Sequence, residues 1–360
     1  MISRSPDGSG IHPVFCTIVP PHLLDQLAQS DDPAVAGPAR RTLDADGERR
    51  TLRREASLAA IAPEPATAGA VPSKPRRTLY DCRHHTMLPG RKVRGEGDEP
   101  TGDASVNRAY AGFGATFDLL LSAYGRSSLD GKGMRLIGSV HYDRDYNNAF
   151  FDGRQMVFGD GDGEIFLDFT LSIDVIAHEL AHGLTQHTAN LVYEGQAGAL
   201  NESVSDVFGS LVKQYSLGQS AEQADWLIGA GLLAPRVTGE GLRSLKSPGT
   251  AYDDDVLGKD PQPASMEDYI ETDDDNGGVH LNSGIPNRAF YLAASALGGN
   301  AWERAGQIWY DVLTGGELTA NAEFADFARL TVAAARDRFG EGDEQEAVVK
   351  GWSEVGVPTE

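Results

Sequence analysis

His178-Glu179-Leu180-Ala181-His182, followed by Asn201-Glu202-Ser203-Val204-Ser205-Asp206, is the stretch whose reading decides the fold. Positions i and i+4 of a helix share a face, so His178 and His182 can close on one ion with Glu179 beside them. A zinc ion that performs chemistry takes three protein ligands and keeps a fourth position for water. Glu202 supplies the third ligand. Glu179 leaves the helix in a different direction from the two histidines, which suits a base acting on that water better than a fourth ligand. A chance match of five residues on an amphipathic helix is the plain alternative, and the second acidic segment argues against it.

Asp206 follows Glu202 at i+4 on a helix expected from Leu200 to about Tyr215. Metal-bound histidines donate their second ring N–H to a carboxylate, and Asp206 is placed to accept one, with Asn201 doing similar work through its amide oxygen. A solvated helix carboxylate is the other reading of Asp206.

Taken with Tyr193 and Asn276-Gly277-Gly278-Val279-His280-Leu281-Asn282-Ser283-Gly284, these segments resemble the thermolysin-like zinc metalloproteases, from about Thr78 to the C-terminus. Near the start, Val19-Pro20-Pro21-His22-Leu23-Leu24 resembles the Pro-Pro-x-Leu motif in the short propeptide of the protealysin-like subgroup. The resemblance implies an α+β fold of two lobes, a mainly β N-terminal lobe and an α-helical C-terminal lobe with the catalytic helix between them. It implies a zinc endopeptidase made as a latent precursor, with protein or peptide substrates and its own propeptide as intramolecular inhibitor. His280 and Tyr193 would stabilise the tetrahedral intermediate, with Asp275 orienting His280. Arg243 would bind a substrate backbone carbonyl, for which a guanidinium fork suits better than an ammonium. Asn148 and Ala149 would form the edge strand that pairs with extended substrate.

By the same resemblance Phe166, Phe169, Val175, Ile228 and Leu242 would line the pocket for the residue after the scissile bond. That predicts cleavage on the N-terminal side of large apolar residues, with Leu or Phe left open because Phe169 narrows the pocket. Read individually, each of the five is indistinguishable from core. Family members with a double calcium site place acidic ligands where this chain has Lys213, Leu227 and Ala230, leaving only Asp174 and Asp225. Calcium takes six to eight oxygens, so the double site is expected to be absent. A single calcium at the acidic loops Asp253–Asp255 or Asp273–Asp275 stays open.

Two other readings compete. A zinc aminopeptidase shares the two histidines and distal glutamate but needs an acidic anchor for the substrate N-terminus. A binding protein that kept the fold without the activity would not need every catalytic residue in place.

The chain has 360 residues, 40% hydrophobic and 23% charged, enough for two domains with separate cores. A formal charge of −22 argues against a nucleic-acid surface and favours solubility. No apolar run reaches the length of a membrane span, and the first thirty residues read as no cleavable signal peptide. The expectation is cytoplasmic synthesis with export by a route the sequence does not specify, a monomer, and proteinaceous inhibitors as candidate partners. Cys16 and Cys82 are too few for a disulfide framework. The expected divisions are 1–65 (propeptide and linker), 66–188 (N-terminal lobe) and 189–360 (C-terminal lobe).

The Pro- and Ala-rich run 59–75 reads as the linker holding the processing site. Asp103 caps a helix to about Tyr124 whose stripe Val106, Tyr110, Phe113, Phe117, Leu120, Tyr124 is core. Strands are expected at Met134–Tyr142, Asn148–Phe151 and Gln155–Phe158. Gly159–Gly163 looks like a calcium loop, but an EF-hand from Asp160 would need Glu where Leu171 stands, so a tight turn is expected. The catalytic helix should run from Ser172 to about Thr188, capped near Ser172 or Asp174, and His280 should sit in a loop leading to a helix at about Asn287. In the N-terminal segment, Pro20, Pro21 and Leu24 should pack on the mature domain. Cys16 could offer a thiolate to zinc, against the plainer reading of a free thiol.

Overall fold

The computed structural model describes residues 16–56 and 71–360. Most of the expected linker, and the processing site inside it, lie outside those residues. The described chain opens with β1 (Cys16–Thr17), α1 (Pro21–Ala28) and α2 (Pro33–Ala56). Pro21 stands in the first turn of α1, where a missing N–H is harmless, and Leu23, Leu24 and Leu27 are buried. At the head of α2 the Asp32 carboxylate accepts the Ala34 N–H at 2.9 Å.

The N-terminal lobe is built on β2 (Arg77–His85), β3 (Arg91–Gly95), α3 (Ala104–Tyr124), β4 (Leu136–Tyr142), β5 (Ala149–Phe151) and β6 (Met156–Phe158). Its sheet runs β1-β5-β6-β4-β2-β3. β4 pairs parallel with both β2 and β6, and the remaining pairs are antiparallel. The sheet is therefore mixed, with α3 crossing between β2 and β4. Alternating burial reports which face a strand buries, not the direction of its partner. β4 starts two residues later than the pattern suggested: the Met134 N–H goes to Asp130 and its carbonyl accepts from Ser128.

Asp103 caps α3 by accepting from the Ser105 and Val106 N–H groups, and Gly125 ends it at φ 65°. Tyr110 is a correction to the expected stripe. It is half-buried, with the Arg77 and Arg94 guanidinium carbons each 3.7 Å from its ring centroid. In the Gly159–Gly163 turn, Asp162 Oδ1 accepts the N–H groups of Glu164, Ile165 and Phe166 at 2.8–3.1 Å. That carboxylate is used locally, which is the chemistry of an Asx turn. Gly161 is required there, since a Cβ would lie 2.2 Å from the Phe166 carbonyl oxygen.

α4 (Ile173–Gln186) packs on α3 and on β5 and β6, and α5 (Gly195–Leu217) lies along it. Ser172 stands at the N-cap position of α4, as expected, but neither it nor Asp174 caps the helix with its side chain: the Ser172 hydroxyl donates to Asp174 at 2.9 Å, and that carboxylate also accepts the Gly229 N–H. α5 begins five residues before the expected Leu200. Gly195 and Gly198 obscure its start in the sequence, and Gly198 is there for contact: a Cβ would meet Val279 Cγ1 at 2.4 Å. The short strands β7 (Leu227–Ile228) and β8 (Arg243–Ser244) pair antiparallel. The C-terminal lobe follows as α6 (Asp275–Asn282), α7 (Gly284–Leu297), α8 (Ala305–Thr314), α9 (Phe324–Phe339) and α10 (Asp343–Glu354). Its core centres on Trp309, stacked on Trp352 at 6.1 Å, with Phe327 edge-on to both. His280 belongs to α6, not to a loop. Positive φ at Asn276, Gly277 and Gly278 kinks that helix and made its first turn unreadable as one.

A bridge of opposite charges holds α3 to the sheet. His141 Nδ1 faces Asp160 at 2.8 Å and Nε2 faces Asp103 at 2.8 Å. The bond from Asp160 first, and then Asp103, outweigh burial and raise the imidazole from 6.5 to about 9. Because the folded value lies above the unfolded one, the bridge stabilises fully below about 6.5 and fades as pH rises through about 9. His141→Gln should therefore lower the melting temperature more at about pH 6 than at about pH 10. Equal losses in calorimetry at both values would contradict this.

Candidate metal centre and cleft

α4 and α5 cross so that His178 Nε2, His182 Nε2 and the Glu202 carboxylate converge. The two Nε2 atoms are 3.1 Å apart, and each lies 3.6 Å from a Glu202 oxygen. All three side chains are buried. The second ring nitrogens fix the tautomers. His178 Nδ1 donates to Asp206 Oδ1 at 2.8 Å, and His182 Nδ1 to Asn201 Oδ1 at 3.0 Å. Asn201 is itself oriented by donating to the Leu191 carbonyl at 3.1 Å. Both Nε2 lone pairs are thus left facing one point with no proton between them, next to a carboxylate oxygen, Glu202 Oε2, that has no hydrogen-bond partner. Tetrahedral ligands about 2.0–2.1 Å from zinc stand roughly 3.3 Å apart, so the set fits that ion. Burial lowers His182 to about 4, which keeps it neutral as a ligand must be.

Asp206 is the hub behind these ligands. Besides His178 it accepts from Arg243 Nε and Nη2, each at 2.9 Å, and from Asn287 Nδ2 at 2.9 Å. Burial opposes its ionisation, yet Arg243 and then His178 hold its carboxyl well below the usual range. Asn287 was not found by sequence reasoning, because a buried asparagine on α7 carries no spacing signal.

Glu179 is fully buried on α4, with the Phe151 backbone as the polar group beside its carboxyl. Burial first, then the Glu202 charge, push its carboxyl well above the ordinary value. On the opposite wall, Asp275 accepts from His280 Nδ1 at 2.7 Å and from the His280 backbone N–H at 2.9 Å, turning Nε2 inward. Tyr193 Oη lies 3.2 Å from that Nε2 and donates to Glu202.

The N-terminal segment runs through this cleft. β1 pairs antiparallel with β5, as Cys16↔Phe151 and Thr17↔Phe150. Cys16 Sγ donates to Glu202 Oε1 at 2.8 Å, lies 3.0 Å from Tyr193 Oη, and joins His178, His182 and Glu202 in one group of ligand atoms within 4.8 Å. His280 Nε2 lies 3.0 Å from the Thr17 carbonyl oxygen. Arg243 Nη1 donates to the Ile18 carbonyl at 2.9 Å, and the Ile18 N–H to the Ala149 carbonyl at 3.1 Å. Asn148 holds Val19 from both sides, accepting its N–H at 2.9 Å and donating to its carbonyl at 3.3 Å. Ile18, Val19 and Leu24 are fully buried and belong to the main hydrophobic core of the protein, as do Phe166, Phe169, Val175, Ile228 and Leu242. Pro20 is buried, with Pro21 beginning α1. Beyond the cleft, Asp46 accepts from Asn148 Nδ2 at 3.0 Å and from Tyr146, while Arg49 donates to Tyr142 Oη at 2.6 and 2.8 Å. Neither Asp46 nor Arg49 was singled out in the sequence, where both disappear into a charged run.

Two domain models match the chain: "Thermolysin metallopeptidase, catalytic domain" over 74–186 and "Thermolysin metallopeptidase, alpha-helical domain" over 189–357. An extracellular metalloprotease of Pectobacterium carotovorum subsp. carotovorum is 50% identical over 344 residues, covering 95% of this chain and 96% of that protein. Protease PrtS of Photorhabdus is 53% identical, covering 78% of this chain and 76% of that one. Among solved structures, the precursor of protealysin from Serratia proteamaculans superposes with a TM-score of 0.83 at 51% identity, covering 95% of this chain and 100% of that one.

Near α4 the positions considered for calcium are held by an ammonium. Lys213 Nζ lies 3.0 Å from buried Asp174 and 2.7 Å from Asp225. It also donates to the Leu227 carbonyl at 3.4 Å. Lys213→Met would strip the buried Asp174 of its counter-charge, so it should cost roughly 3–5 kcal/mol in urea unfolding. An unchanged midpoint would show that the ammonium does not carry this corner.

Proposed function

The chain belongs to the thermolysin family of zinc metallopeptidases, and we propose that it is made as a latent endopeptidase cleaving before large apolar residues. The observation that carries this reading is the segment Cys16–Val19, which occupies the groups that would otherwise hold substrate.

His178, His182 and Glu202 would hold zinc, which when bound lowers the pKa of its water toward neutrality and polarises the scissile carbonyl. Glu179, buried beside the ligand set, takes the proton of the attacking water and passes it to the leaving amine. Donors from His280 and Tyr193 meet the oxygen on which charge develops. Arg243 and Asn148 hold substrate carbonyls while Ala149 extends the sheet onto the substrate backbone. The apolar cluster at Phe166, Phe169, Val175, Ile228 and Leu242 takes the side chain after the cut, whose burial contributes roughly 1.5–3 kcal/mol.

In the precursor the Cys16 thiol would take the position that water needs, and residues 1 to about 65 would be removed to open the cleft. What supports this is the thiol's place among the candidate ligands, together with the likeness to a precursor structure. The double calcium site is taken to be replaced by the Lys213 ion pairs. The mature enzyme is taken to be a monomer that acts outside the cell, the latter in keeping with the description of the Pectobacterium relative; fractionation of the producing cells tests that location.

Glu179→Gln should keep near-stoichiometric zinc while losing several orders of magnitude in casein hydrolysis, and His280→Ala should lower mainly kcat. Substantial activity in Glu179→Gln would mean that another group is the base. Product mapping should find Leu or Phe after the cut, and a preference for charged residues there would remove the pocket assignment. The uncleaved Glu179→Gln chain should bind an active-site zinc inhibitor far more weakly than the same chain after a separate protease has processed it. Equal binding in the two states would end the case for latency.

A further inference from the structure

We propose that the Thr17–Ile18 peptide bond is a latent substrate of the chain's own active site, bound with the polarity of a productive substrate and spared by the Cys16 thiol. The inference rests on the proposed endopeptidase reading and deepens it.

The polarity is fixed by four consecutive groups. The carbonyl facing the intermediate-stabilising donor His280 is that of Thr17, at 3.0 Å. The residue that follows it, Ile18, is fully buried and belongs, like Val19, to the main hydrophobic core that also holds the residues assigned to the side chain after the cut. The Ile18 carbonyl takes the Arg243 fork and the Ile18 N–H goes to the Ala149 carbonyl. Val19 then falls between the donor and acceptor of the Asn148 amide. A segment threaded in the opposite sense would put the carbonyl at Arg243 before the carbonyl at His280, not after it. The backbone from Thr17 to Val19 therefore runs in the sense of a substrate, with an aliphatic residue, Ile18, directly after the carbonyl at His280.

Cys16 is what differs. Its thiol stands 2.8 Å from Glu202 Oε1 and 3.0 Å from Tyr193 Oη, in the space beside the ligand set where the attacking water has to sit. With that water displaced, Glu179 would have nothing to deprotonate. Once the thiol is gone, ordinary hydrolysis completes the step. The hydroxyl of water joins the Thr17 carbonyl carbon, the C–N bond breaks, and the proton passes to the Ile18 nitrogen, leaving a free peptide 1–17 and a chain beginning at Ile18.

The test uses the full-length chain loaded with zinc. Cys16→Ser should lose the mass of residues 1–17 and give Ile18 as a new N-terminus on sequencing, at least about tenfold faster than the wild type. The double variant Cys16→Ser/Glu179→Gln should stay intact. An active Cys16→Ser chain cut only elsewhere, with Thr17–Ile18 preserved, overturns the proposal. Absence of casein hydrolysis by the processed wild type would instead strike the endopeptidase reading. A second measurement needs neither activity nor metal. In the chelated Glu179→Gln chain, the Ile18 and Val19 amides should exchange hydrogen at least roughly tenfold more slowly than in an unstructured peptide. Unprotected exchange at both overturns the polarity, and it stands as a test even if Cys16→Ser or Cys16→Ala fails to fold.

Discussion

The Asp206 carboxylate is the interaction on which the rest of the centre depends. Fully buried, it accepts from His178, from two nitrogens of Arg243 and from Asn287. A buried carboxylate is costly unless paired and hydrogen-bonded on all sides, and here each bond that satisfies it also sets a functional group. The bond to His178 fixes the tautomer that leaves Nε2 free for metal. The bonds to Arg243 leave Nη1 as the donor that reaches into the cleft, where it meets the Ile18 carbonyl. Asn287 brings in α7, so one carboxylate on α5 joins His178 of α4, Arg243 of β8 and Asn287 of α7. Metal binding and backbone recognition thus share one anchor.

The same economy governs the cleft. β5 is the strand whose edge an extended peptide would join, and in this chain that edge is taken by β1. The N-terminal segment takes up, one after another, the Ala149, Arg243, Asn148 and His280 groups that line the cleft. Under the proposed latency, recognition of that segment and recognition of substrate would be one property. Outside the cleft, Asp46 to Tyr146 and Arg49 to Tyr142 add docking area, while Asp46 also accepts from Asn148 Nδ2, the amide that holds Val19.

Much of this was legible in the sequence because the chemistry is local. His178, Glu179 and His182 need only helical spacing, and Glu202 with Asp206 repeats the device on the next helix. Asp103 shows its capping role through its place before an apolar stripe. What escaped is what depends on partners far along the chain. The parallel pairings of β4 leave no trace in alternation. The early start of α5 is masked by Gly195 and Gly198, whose reason is the closeness of Val279. The kink before His280 reads as a loop because its positive-φ residues look like turn formers. Asn287, Asp46 and Arg49 acquire meaning only when the elements that carry them are packed.

The account stands most directly on the zinc affinity of Asp206→Asn, measured by chelator competition, with Asp206→Asn/Arg243→Met as the companion in which no buried guanidinium is left alone. If Asp206 orients His178 as described, both variants should bind zinc about 10–100-fold more weakly than the wild type while retaining its near-UV circular dichroism. Wild-type zinc affinity in a folded Asp206→Asn chain would contradict the central claim.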